Sequence, residues 1–154
     1  MPQTLVLEDV VTSAMEVALQ TIWTSAPGQI ESYDAVKQKA NVLLPIKVGS
    51  IGEDGERHLT QVAVLNNVPV VHPGGGGYRW VTPVARGDTC MVVMSKVSMD
   101  KWKAKGGVID PGSDHHHDIS DAVAFVGLRD FAPPLTNAPS NRASIGYDPG
   151  ATIE

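Results

Sequence analysis

The chain has a single cysteine, Cys90, and only three Trp, three Tyr and two Phe among its 154 residues. One cysteine excludes an internal disulfide framework and any multi-cysteine metal cluster within one chain. Basic side chains are also few. Twelve Lys and Arg stand against 17 Asp and Glu, for a net charge of −5, which argues against a nucleic-acid binder that must neutralise phosphates. No apolar run approaches the roughly 18 residues of a spanning helix. The first residues lack a positively charged leader, and Glu8 and Asp9 interrupt the apolar stretch beside them, so synthesis in the cytosol is expected. The motifs GxSxG, HExxH and HxE…PCxxC do not occur.

What is present is turn chemistry. Fifteen Gly and 11 Pro imply many short strands, while 42% apolar and 19% charged residues read as globular. A chain of this length suits one domain with a short appendage, and removes about 70% of its surface from water on folding.

Residues 4 to 24 carry a helical period. Leu7, Val11, Ala14, Ala18 and Ile22 form one stripe, bordered by Val10 and Met15. Thr4 is the expected N-cap, Glu8 and Asp9 suit the positive end of the helix dipole, and Ala26-Pro27-Gly28 ends the helix. The stripe either packs on the domain that follows or docks a partner. Strand signals begin at Gln29–Val36, with Lys37-Gln38 as a tight connection. Residues 39 to 48 then alternate, with Ala40, Val42, Leu44, Ile46 and Val48 on one face and Pro45 marking an exposed or bulged position. Gly49 to Arg57 reads as a loop. Leu59–Leu65 and Val68–His72 alternate on either side of Asn66-Asn67, and Tyr78–Ala85 and Thr89–Val97 read as strands. Met99–Lys105 is polar, and Ala122–Leu128 is a last apolar segment. From Pro133 onward the tail has too little apolar side chain for its own core.

These signals predict a mainly β chain: an N-terminal helix (1–25), a five-stranded OB-fold barrel (26–131) and a short extended C-terminal tail or trimeric stem (132–154).

Candidate chemistry is sparse. Gly74 to Gly77 precede a strand rather than a helix, so they read as a hairpin tip and not a phosphate loop. In His115-His116-His117 the outer two share a face of an extended chain. Two imidazoles are too few for a zinc site, although a three-fold axis would bring six together, with Asp114 and Asp118 as outer acceptors. The alternative is a solvated, titrating loop. Cys90, inside a β run, reads as a buried and inert thiol. Glu53-Asp54 and Asp118/Asp121 read as solvated surface. Lys96, Lys101, Lys103 and Lys105 surround Trp102, the kind of cationic and aromatic grouping that single-strand-binding OB modules use.

Six segments in order carry a resemblance. They are Pro27-Gly28-Gln29-Ile30-Glu31-Ser32-Tyr33-Asp34; Ala40-Asn41-Val42 through Pro45; Val68-Pro69-Val70-Val71-His72-Pro73 with its glycines; Pro83-Val84-Ala85-Arg86-Gly87-Asp88; Trp102 ahead of Gly106-Gly107; and His117-Asp118-Ile119-Ser120-Asp121-Ala122 ending in Gly127-Leu128. Over about residues 5 to 131 this order resembles the N-terminal OB domain of bacteriophage central spike proteins, the baseplate-assembly-V-like family. The resemblance implies a non-enzymatic homotrimer of the virion tail baseplate, assembled in the host cytoplasm. It would attach to the hub protein, carry a separate spike-tip protein or a short stem, and meet the host outer membrane transiently. The family's apical iron motif is not carried over to His115 and His117, which lead into the end of the OB-like part. The expectation is no catalytic, cofactor or metal residue, and no nucleic-acid partner. Two rivals remain: a single-strand nucleic-acid-binding OB module, and a metal-dependent enzyme, such as a cell-wall hydrolase, built on His115 and His117.

Overall fold

The computed structural model describes residues 7–52, 55–130 and 140–141. The chain runs through helix α1 (Leu7–Thr21), then β1 (Ser25–Asp34), β2 (Lys39–Leu43), β3 (Val48–Ile51), β4 (Arg57–Thr60), β5 (Leu65–Pro69), β6 (Gly74–Gly75), β7 (Tyr78–Arg79) and β8 (Thr89–Met94). Helix α2 (Asp100–Lys105), a 3-10 turn (Ile119–Asp121) and β9 (Ala122–Val126) complete it. The described residues divide into two compact units, one of residues 7–25 with 93–122 and one built from the described residues of 26–92 and 123–130.

The second unit is built on the curled, antiparallel five-stranded sheet, in the order β5-β2-β1-β8-β9. Its free edges approach each other. Val70, just past β5, forms a parallel bridge with Ala124 of β9, and the Val71 amide donates to the Ala124 carbonyl at 2.9 Å. The result is an OB-like half-barrel that follows an N-terminal helix in the chain, as the sequence predicts. Ile30, Ala40, Val42, Leu44, Val68, Cys90, Val92 and Ala124 fill its interior. Alternation supplies them: in β2 Ala40 and Val42 point in, and in β8 Cys90 and Val92 do so.

Local chemistry explains the departures from the sequence reading. β1 begins at Ser25, so Pro27-Gly28 lies inside a strand. Gly28 belongs there because a Cβ would stand 2.6 Å from Val42 Cγ1 and 2.8 Å from Val92 Cγ2. The alternation over 39–48 splits near Pro45, which has no N–H to extend a ladder. Leu44 is buried, whereas Ile46 and Val48 are exposed and Val48 opens a separate hairpin, β3–β4. That hairpin occupies part of the expected Gly49–Arg57 loop. Asn66-Asn67 lies within β5 as a bulge: Ala40 pairs Val68 and Val42 pairs Leu65, and Asn67 adopts φ 58° while its amide donates to Asn41 Oδ1. Gly76 and Gly77, both at positive φ, turn the β6–β7 hairpin, and strand structure ends at Arg79 rather than Ala85.

In the first unit every residue of α1 is exposed. No described residue of that unit buries its apolar stripe. Thr4, Glu53-Asp54 and the tail beyond Pro133, apart from residues 140–141, lie outside the described residues. No helix among the described residues is long and apolar enough to cross a membrane. Met99–Lys105, read only as polar, contains the short helix α2. Asp100 stands in its first turn, Lys103 and Lys105 in its last, and the Gly106 amide closes it on the Trp102 carbonyl at 2.7 Å.

Candidate functional site

The densest polar structure among the described residues is in the first unit, around the turn that precedes β9. Asp118, in an extended conformation, caps this turn: its Oδ1 accepts from the Ser120 amide at 2.8 Å and the Ser120 hydroxyl at 2.6 Å. Those two bonds, the hydroxyl first, hold the Asp118 carboxyl below its usual range despite some desolvation. The cap turns the chain so that Asp121 points inward.

Asp121 is 1% exposed, which corrects its reading as solvated surface. A buried carboxylate must be fully paired to be tolerated. Here Oδ1 accepts from the Met99 amide at 2.7 Å and Oδ2 accepts from His115 Nε2 at 2.8 Å. A carboxylate can only accept, so the proton of that second bond sits on Nε2, and a neutral ring then receives the Ser113 hydroxyl at Nδ1, 3.1 Å away. The Asp121 carbonyl also takes the Ser95 amide at 3.1 Å. One residue thus fastens the end of β8, the start of α2 and the loop before β9.

The three histidines separate. His115 joins the Asp121 clamp, and His116 folds back to the Asp114 carbonyl at 2.8 Å. His117 sits at φ 51°, so the extended geometry that would align it with His115 does not exist. Its amide donates to the Lys96 carbonyl and its carbonyl accepts from the Trp23 amide, both at 3.3 Å, while its buried Nδ1 has no partner among the described residues. Among the described residues no group of three or more His, Cys, Asp or Glu converges as a metal site.

A shallow hollow of about 360 Å³ lies in the same unit, lined by Ser95, Val97, Met99, Trp102, Ile109 and Pro111. Trp102 is half exposed and projects from α2, which also carries Lys101, Lys103 and Lys105. The β-sheet unit has its own hollow of about 450 Å³ beside Pro27, Gly28, Pro45, Thr89 and Arg129. Cys90 lies in that unit's core, where burial pushes its thiol up to about 11, as an unreactive core thiol requires.

Ser113, His115 and Asp121 are residue types that elsewhere act as nucleophile, base and orienter. The line they form ends on the main-chain amide of Met99, so its mechanical effect is a brace across one unit. Sequence reasoning found His115 but not its partner. The only signal was the cap pattern Asp118-x-Ser120 directly before an apolar strand. Residues 26–127 match the family model of the phage protein Gp138 N-terminal domain. No curated protein matches the chain.

Proposed function

Because this chain belongs to the phage Gp138 N-terminal domain family, we propose that it is a homotrimeric central spike component of a contractile tail baseplate. The coarser part, a structural role in a phage and hence in its virion, follows from the family. The finer part is our reading: kinship with assembly-V-like spikes, attachment to the tail hub, transient contact with the host envelope and a non-enzymatic role.

The observation that carries this reading is the family match laid over a sheet whose edges meet at Val70 and Ala124. A part that transmits axial force needs stiff, closed β structure. Bonds that run around a barrel resist both splaying and edge pairing with stray chains. The Asp121 clamp adds to this by tying three segments of the other unit to one residue, two through its buried carboxylate and one through its main-chain carbonyl. A small core with few aromatics gains further apolar burial by association with identical copies.

Sedimentation equilibrium at micromolar concentration tests the reading. A species of three times the 16.3 kDa chain mass is expected; a stable monomer would refute it. The exposed Trp102 among the α2 lysines keeps single-strand binding as the rival. Tight oligonucleotide binding that weakens steeply with salt would favour that rival, whereas no binding at low salt would remove it.

A further inference from the structure

Helix α1 is the surface feature that the spike reading leaves unused. An isolated helix of 15 residues is marginal in water and is normally held by packing of its apolar face. None of its residues is buried. At about 100° per residue, the arc from Val17 through Val10, Leu7 and Val11 to Met15 is roughly 160° wide. Thr21 falls within it, but its hydroxyl is spent on the Ala18 carbonyl at 2.7 Å. A stripe this wide exceeds a bare coiled-coil seam and leaves room for neighbours on both flanks.

Charge decides what those neighbours are. Glu8, Asp9 and Glu16 are the only ionic residues of α1, and none is basic. Asp9 and Glu16 stand opposite the centre of the arc, and Glu8 at its margin. Copies of α1 can therefore pack arc to arc with their carboxylates kept at the periphery. In heptad terms Leu7, Val11, Ala14 and Ala18 fall on the seam, Val10 and Val17 on one flank, and Met15 and Ile22 on the other. We propose that three copies of α1 pack along this arc into a parallel bundle on the assembly axis, so that the occupant of the exposed face is the same helix from two further copies. The inference rests on the homotrimer proposed above and adds the seam that holds it.

The test uses the full chain with Ala14→Cys, treated with a short bis-maleimide. Cys90 is buried and its thiol raised, so it does not compete. Chain-to-chain linkage is expected at Ala14→Cys and not at Glu16→Cys, on the outer side. Val11→Glu, a change at a position already exposed in the single chain, is expected to abolish the trimer while the far-ultraviolet spectrum of the β-sheet is retained. A trimer that does not cross-link at position 14 and keeps its mass with Val11→Glu would overturn the bundle, assign the α1 face to a different protein, and leave the spike reading intact. A monomeric parent chain would overturn both.

Discussion

Replacing Asp121 by Ala tests whether the buried carboxylate is a structural brace. The loss has two parts of unequal size. The Met99 amide loses its acceptor, 2.7 Å away on a residue 1% exposed, and a buried unsatisfied donor costs about 1–3 kcal/mol. The His115 arm is smaller: the imidazole side chain is 41% exposed, so water replaces much of what it loses and roughly 1 kcal/mol or less is expected. The space left by the carboxylate adds to the first part, for a total of about 2–4 kcal/mol. For a chain of this size, at about 2–4 °C per kcal/mol, the midpoint should fall by roughly 4–16 °C. Asp121→Asn keeps an acceptor for Met99 and should lose about half as much, and His115→Ala less again. The assay is thermal unfolding by circular dichroism, with all variants at one protein concentration because association shifts the midpoint. Hydrogen exchange at the Met99 amide should accelerate in Asp121→Ala and remain slow in His115→Ala. If Asp121→Ala melts within about 1 °C of the parent chain, or His115→Ala is the more damaging change, the brace is wrong.

Two further perturbations test the β-sheet unit. Gly28→Ala places a methyl against Val42 Cγ1, Val92 Cγ2 and Cys90 Sγ at 2.6, 2.8 and 3.0 Å, and should destabilise by about 1–3 kcal/mol in urea unfolding. Adding Val92→Ala should cost less than the sum of the single changes, and strict additivity would contradict the close approach. Burial raises the Cys90 thiol from 9.0 to about 11, so its contribution is complete below pH 9 and is lost as pH rises through 11. The loss should approach roughly 2–3 kcal/mol. The unfolding free energy measured from pH 8 to 11 should therefore fall more steeply for the parent than for Cys90→Ala, and parallel profiles would refute it.

Much of the fold was written in local period. Alternation in β2 put Ala40 and Val42 on one face, because side chains of a strand leave its faces by turns, and the β run around Cys90 marked that thiol as buried. The glycines at 74–77 announced a turn, since Gly76 and Gly77 adopt a backbone sign that other residues resist. The stripe of α1 was equally legible, but its period alone does not say what covers it. Periodicity reports which residues share a face; it carries no information about what lies across from that face. Only the tertiary structure decided that Ile46 and Val48 leave the core after Pro45, that Asn66-Asn67 bulge a continuous strand, and that Asp121 is buried on the Met99 amide and His115. Each of these depends on a partner distant in sequence: a neighbouring strand that ends, a facing register that slips, or a donor 22 residues away that makes a buried charge tolerable.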